Sequence, residues 1–157
     1  MTQKTMKTED VLKAYNVIST AKYGKLDDAD KIKVWKIARA MKPIAEKFRE
    51  DSEDAQEKMK PNEDFDQQLV KAQQYEVEIR KEECDASKLP MGAAQYHEFV
   101  EEFKAYQKLV NDAIKEFAEK EVEVSFEPLT EDAFGKLMAS NDWNMAQVVA
   151  LDGIMTE

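Results

Sequence analysis

The C-terminal part of the chain, residues 93–157, constrains the fold most because its hydrophobic period changes twice. From Ala94 to about residue 118, large apolar residues recur every three or four positions, which predicts a long amphipathic helix. At Glu121–Glu127 the period becomes 2, which predicts a strand that Pro128 ends. A lone strand leaves its backbone hydrogen-bonding groups unpaired, so this strand needs a partner. The candidate partners are Lys88–Met91, Lys25–Leu26 and a second copy of the protein.

The last 28 positions, residues 130–157, predict two short helices separated by a break at Ser140–Asp142. Thr130 is a suitable N-cap for the first of them. The second is too apolar for a free tail, so we expect these helices to pack on the 94–118 helix or on a partner. Because the 94–118 helix carries the largest apolar side chains, we expect it to form the centre of the core.

The N-terminal half predicts three further helices. The first spans about 8–22 with Thr8 as its cap, and the second begins at Asp27 or Asp28. Pro43 falls inside the second and predicts a kink or a break near residues 39–42. A turn at Pro61 precedes a third helix through about residue 83. The second helix is predicted to bury a stripe that consists of Ile32, Trp35, Ala38, Met41, Ala45 and Phe48.

These patterns together predict a mainly α protein. Only 4 Gly and 4 Pro occur, and 36% of residues are charged, a composition that favours long helices over a sandwich or barrel. We expect a single domain over 1–157, in which a polar helical hairpin forms an arm at about 28–84. The core helix, a minor β element near 121–127 and a C-terminal helical cap occupy about 93–157.

The charge of the chain argues against nucleic acid as a direct partner. Its 33 acidic and 23 basic residues give a net charge of −10, which repels a phosphate backbone. The sequence has no apolar run of about 18 residues and no apolar secretory segment at its start, so neither a membrane span nor export is expected. We therefore expect a cytoplasmic protein.

Residues that could carry catalysis or hold a cofactor are few. The four glycines lie far apart and match no phosphate-binding loop. His97 is the only histidine, so His97 and Glu101 are too few for a zinc or di-iron site of the usual kind. Cys84 is the only cysteine, and its neighbours Glu82, Glu83 and Asp85 are acidic, which disfavours a reactive thiolate. We expect no enzyme activity, no metal and no cofactor.

The order of the sequence features resembles a family of small proteins encoded among the structural and late genes of tailed bacteriophages and prophages. The resemblance lies in residues 11–16 (VLKAYN), residues 36–44 (KIARAMKPI) and the polar helix that follows them. It continues in residues 98–103, which lead into residues 121–124 (EVEV) and an apolar helical end. It implies a phage protein without catalytic residues, located in the host cytoplasm or in the virion.

The expected function is therefore protein–protein contact, as a virion component or an assembly factor, with a virion or host protein as partner and with association between copies as a further expectation. One alternative is an acidic inhibitor of a host defence or nucleic-acid-binding protein, and another is a small-ligand binder that uses a pocket beneath the C-terminal cap. The candidate interaction residues come from the acidic arm, the strand and the cap: Glu50, Asp51, Glu53, Asp54, Glu57, Val122, Val124, Phe126 and Trp143.

Overall fold

The computed structural model describes residues 1–156 and confirms a mainly α protein with a small antiparallel sheet. Two compact units are present, one formed by residues 1–51 with residues 115–156 (unit 1) and one by residues 52–114 (unit 2). The single domain with an arm at 28–84 stays a prediction, and the unit boundaries fall within two long helices. The elements are β1 (Thr2–Lys7), α1 (Thr8–Ile18), α2 (Asp28–Lys58), α3 (Phe65–Ile79), a 3₁₀ turn (Ala86–Lys88), α4 (Ala93–Glu119), β2 (Glu121–Phe126), α5 (Glu131–Ala139) and α6 (Met145–Met155).

The predicted strand is present as β2, but the two pairing partners predicted within the chain are wrong. Its partner is β1, which runs antiparallel to it from Thr2 opposite Phe126 to Lys7 opposite Glu121. Neither Lys88–Met91 nor Lys25–Leu26 contributes a strand, and no second copy is needed to pair β2. Pairing with β1 satisfies the backbone hydrogen-bonding groups along one edge of β2.

Helix α1 starts as predicted but differs in its cap and in its length. Lys7, not Thr8, occupies the N-cap position, and Thr8 is the first helical residue. The buried Thr8 hydroxyl donates a hydrogen bond to the Lys120 backbone oxygen at 2.8 Å, and the Thr8 amide donates to the same oxygen at 2.9 Å. Thr8 therefore joins α1 to the segment before β2, and the helix ends at Ile18 instead of residue 22.

Helix α2 is continuous through Pro43, so the predicted alternative of a break there is wrong. Its buried stripe is only partly the predicted one, because Met41 is buried as predicted but Ile32 and Trp35 are not. Val34, Ile37 and Met41 are buried, whereas Ile32 is 52% exposed and Trp35 is 55% exposed. Both sets of residues recur at three and four positions, and packing in unit 1 selects the first set.

The core of unit 1 is built without the predicted central helix. Among residues 1–156, no buried residue of this core belongs to α4. Helix α6 packs on α1, which corrects the prediction that the C-terminal helices pack on residues 94–118. The core consists of residues from α1, α2, β2, α5, α6 and the segments beside them: Val11, Ala14, Ile18, Leu26, Val34, Ile37, Met41, Val124, Phe126, Leu129, Ala133, Phe134, Leu137, Leu151, Ile154 and Met155.

Unit 2 has its own aromatic core, in which α3 packs antiparallel to α4. The ring of Phe65 lies 5.5 Å from that of Phe99 and 4.7 Å from that of Tyr106, while the rings of Tyr75 and Tyr96 stack at 4.4 Å. The Tyr106 hydroxyl donates a hydrogen bond to the backbone oxygen of Gln56, in the last part of α2. Four aromatic residues of α4, Tyr96, Phe99, Phe103 and Tyr106, therefore contribute to the core of the second unit.

A buried carboxylate closes the end of α3. Glu78 accepts a hydrogen bond from the Lys81 ammonium at 2.8 Å and one from the Asp85 backbone amide at 3.3 Å. These two hydrogen bonds, the ammonium first, lower the pKa of Glu78 below its ordinary value. Glu78 thereby holds the segment that follows the helix.

Candidate protein-binding surfaces

The predicted acidic site lies on α2, and part of its charge is neutralised within the chain. Asp51 pairs with Lys47 at 2.8 Å, and Glu57 pairs with Lys60 at 2.7 Å. Hydrogen bonding to Asp51 raises the pKa of Lys47, and hydrogen bonds to Glu57 and Asp66 raise the pKa of Lys60 to about 12. These lysines weaken the field that a polyanion mimic requires.

The remaining acids of this group, Glu50, Glu53 and Asp54, are exposed on the same helix. Glu53 has an interaction of its own within the chain. The acidic inhibitor therefore stays a prediction, with a site that is less negative than the sequence suggested.

Two of the four predicted strand and cap residues are buried in the chain itself. Val124 and Phe126 are buried in the core of unit 1, because their side chains point from β2 towards α1, α5 and α6 residues of the same cluster. Val122 and Trp143 are half-buried and pack against that cluster. The assignment of Val124 and Phe126 as interaction residues is thus corrected, because the β1 pairing turns their face inward.

The outer face of α2 presents the residues that the sequence had placed in the core. Ile32, Trp35, Lys36 and Arg39 are spaced i, i+3, i+4 and i+7, which places them on one helix face, and all four are exposed. We call this set the α2 ridge. The Arg39 guanidinium lies over the Trp35 ring, 5.2 Å from its centroid. An exposed tryptophan beside an arginine is typical of the residues that dominate protein interfaces.

A sequence signal for the α2 ridge existed. Residues 31–42 contain five basic residues and no acid, in a chain whose net charge is −10. Two of these cations, Lys36 and Arg39, form no ion pair with any carboxylate among residues 1–156, whereas Lys42 lies 3.9 Å from Glu46. The face is therefore positively charged as well as apolar.

Unit 1 also contains an open cleft of about 910 Å³ between the β2–α5 connection, α5 and α6, which we call the α5–α6 cleft. Phe134, Met138 and Val148 form part of an apolar wall. Lys33 is the one basic residue of the lining among residues 1–156, and it lies 4.0 Å from Asp30. The remaining lining consists of Glu127, Pro128, Leu129, Thr130, Glu131, Asp152 and Thr156.

Two features fix the helices that form this cleft. Thr130 caps α5 by accepting a hydrogen bond from the Ala133 amide at 3.1 Å, as its sequence position predicted. At the C-terminal end of α6, the Lys4 ammonium donates hydrogen bonds to the Gly153 and Thr156 backbone oxygens, both at 2.8 Å. A cation at a helix C-terminus satisfies carbonyl groups that otherwise lack partners.

Residues that could carry catalysis are not gathered at either surface. Cys84 is exposed after α3, and the His97 ring contacts that of Tyr96 with centroids 5.6 Å apart. Within residues 1–156, no group of three His, Cys, Asp or Glu side chains is arranged to hold a metal ion. Over the same residues, every helix is too short or too polar to cross a bilayer.

Comparisons of the chain with protein-family models, with curated proteins and with solved structures give no match in any of the three. The site must therefore be interpreted from its own chemistry.

Proposed function

We propose that this chain is a non-enzymatic protein that acts by binding other proteins, as a virion component or an assembly factor of a tailed bacteriophage or prophage. The observation that carries the proposal is the α2 ridge, where Ile32 and Trp35 stay more than half exposed beside two cations without ion-pair partners. Tryptophan and arginine are enriched among the residues that dominate the binding energy of protein interfaces. The phage context comes from the resemblance of the sequence pattern.

The proposal is tested by affinity capture from infected and uninfected host lysates at low and at high salt. We expect the tagged wild type to retain a virion protein at high salt, because an apolar contact around Trp35 is not screened. Trp35→Ala should lose this protein. Val149→Ala, which truncates another exposed apolar residue of unit 1, serves as the matched control and should retain it.

Three outcomes of the capture experiment would contradict parts of this proposal. Capture of no virion protein by the wild type would contradict the assembly function, and equal capture by Trp35→Ala would contradict the role of the α2 ridge. A host protein that is captured only at low salt, and that is lost after charge reversal of Glu50, Asp54 and Glu57, would favour the acidic inhibitor.

A small-ligand binder is the second candidate, and the α5–α6 cleft favours it. Its volume of about 910 Å³ is within the range of known ligand pockets, which is about 300–1,000 Å³. Phe134 and Met138 would contact an apolar ligand body. Native mass spectrometry of the gently purified protein should then show a bound small molecule, and its repeated absence would exclude this function.

A further inference from the structure

We propose that the α2 ridge of one copy of this protein docks in the α5–α6 cleft of a second copy. The inference rests on the proposed function, because it assumes that the protein acts by contact with proteins, and it adds the partner and the two surfaces. Both surfaces belong to unit 1, so each copy offers one of each. The ridge is exposed in the single chain, so it does not fill the cleft of its own copy.

The shapes of the two surfaces are complementary. The ridge is a convex helix face with Ile32 and Trp35 at its centre, and the cleft is a concave surface with an apolar wall. A helix that places its apolar face in a hydrophobic groove is a recurrent mode of recognition, with anchors spaced as Ile32, Trp35 and Arg39 are. The cleft volume of about 910 Å³ leaves room for more than one large side chain.

The charges of the two surfaces are also complementary. Lys36 and Arg39 flank the ridge, and neither forms an ion pair with a carboxylate among residues 1–156. Three carboxylates line the cleft, those of Glu127, Glu131 and Asp152, and none forms an ion pair with a cation in the same range. They outnumber the one cleft cation, Lys33, which already faces Asp30 at 4.0 Å.

This complementarity selects a copy of the chain as the occupant. The cleft is suited to bind an apolar segment that is flanked by basic residues. The exposed residues of α2 at 31–42 form such a segment within this chain itself. The net charge of −10 per copy opposes association in general, so local attraction between ridge and cleft must overcome this repulsion. The strength of association should therefore depend on salt and on these particular side chains.

The test measures the mass of the full chain by light scattering after size exclusion and by sedimentation velocity, over a range of protein and salt concentrations. The ridge variant is Trp35→Ala with Arg39→Glu, and the cleft variant is Glu131→Lys with Asp152→Lys. The matched control is Tyr23→Ala with Lys13→Glu, which makes the same chemical changes at other exposed positions of unit 1. Circular dichroism confirms that each variant keeps the wild-type helical content.

We expect the wild type to exceed the monomer mass of 18.1 kDa as its concentration rises. Each surface variant should weaken self-association by about 30-fold or more, which is the loss expected for a hot-spot residue. The control should behave as the wild type does. An equimolar mixture of the ridge and cleft variants should form a 1:1 complex, because one intact ridge and one intact cleft remain in the pair.

The inference would be overturned by a wild type that stays at 18.1 kDa throughout, by a ridge or cleft variant that associates as strongly as the wild type, or by a mixture that forms no complex. A monomeric wild type that binds a basic amphipathic peptide or a small molecule in the cleft would overturn it as well. The outcome for the proposed function is distinguished from the outcome for self-association by the capture experiment. A monomeric protein that still captures a virion protein through Trp35 retains that function, whereas a monomer that captures none loses both.

Discussion

Replacing Leu151 by alanine tests the most consequential difference between the sequence-based core and the observed one. Leu151 lies in α6, is 0% exposed and belongs to the core of unit 1. The change removes three carbon atoms, whose transfer from water contributes about 2.4 kcal/mol at about 0.8 kcal/mol each. The cavity left among the surrounding side chains adds to this loss, so the free energy of unfolding should fall by about 3–5 kcal/mol.

Leu109→Ala is the matched control, because it removes the same atoms from a helix. Leu109 belongs to α4, the helix that the sequence placed at the centre of the core, but it is 55% exposed. Leucine and alanine are both good helix formers, so intrinsic helix propensity contributes little in either variant. The loss at Leu109 should therefore stay within about 0.5 kcal/mol.

The assay is urea unfolding followed by circular dichroism and by tryptophan fluorescence. Trp35 and Trp143 both belong to unit 1, so the fluorescence reports the unit that contains Leu151. With a slope of about 2 kcal/mol per molar urea, Leu151→Ala should lower the midpoint by about 1.5–2.5 M. Leu109 belongs to unit 2, so its effect is followed by circular dichroism. A shift at Leu109 equal to or larger than that at Leu151 would contradict the burial described for these two residues.

Three further changes test other parts of the structure. Phe65→Ala should lower the stability of unit 2 by about 3–5 kcal/mol in urea followed by circular dichroism, because Phe65 is fully buried among aromatic rings, while the exposed Val70→Ala on the same helix should change it little. Equal effects would contradict the aromatic core. Thr8→Val should cost about 0.5–1.5 kcal/mol in thermal unfolding, because valine keeps the shape of threonine but loses the hydrogen bond of the hydroxyl to Lys120; a melting temperature equal to that of the wild type would exclude a contribution from that bond. The pKa of Glu78 is lowered in the folded chain, so its ionised carboxylate stabilises the fold above its ordinary pKa of 4.5, and this stabilisation is lost as the pH falls through the folded pKa. Glu78→Gln should therefore lose less stability on acidification than the wild type does. Parallel profiles of stability against pH would argue against the sign of the shift.

The sheet shows why one strand was predictable and its partner was not. In β2 the alternation of valine and glutamate marks a period of 2 directly. In β1 the inward positions are Thr2, Lys4 and Met6, of which only one is apolar. The Lys4 side chain covers the Phe126 ring, with its ammonium 5.6 Å from the ring centroid, and then reaches the end of α6. Because a lysine occupies this inward position, the sequence of β1 does not show the hydrophobic alternation of a strand. The position of Lys4 depends on residues about 120 to 150 positions away, which the local pattern does not contain.

The helices show a different limit. Their existence follows from local periodicity, which the sequence contains, but the direction each helix faces depends on its neighbours in space. The part of α2 from residue 32 to residue 41 has two apolar stripes, and the pattern alone does not say which one meets the core. Likewise, the aromatic residues of α4 indicated a core, but not which of two cores they would form. The sequence therefore predicted that these helices exist better than it predicted which of their faces are buried and against which elements they pack.

The two residues of α2 that were predicted to be buried but are exposed, Ile32 and Trp35, bear directly on the proposed function. A tryptophan contributes more apolar area to a core than a valine does, so folding alone favours burying Trp35 in place of Val34. The structure buries Val34 and Ile37 and leaves Ile32 and Trp35 outside, beside Lys36 and Arg39. Apolar area left exposed in this way gives its stabilisation only when another molecule covers it, and the neighbouring cations keep the face hydrated until then. Failure of a local rule is expected where a sequence serves function in addition to folding. The error in the predicted core and the position of the proposed binding surface therefore have the same physical origin, and Trp35 is the residue at which both are tested.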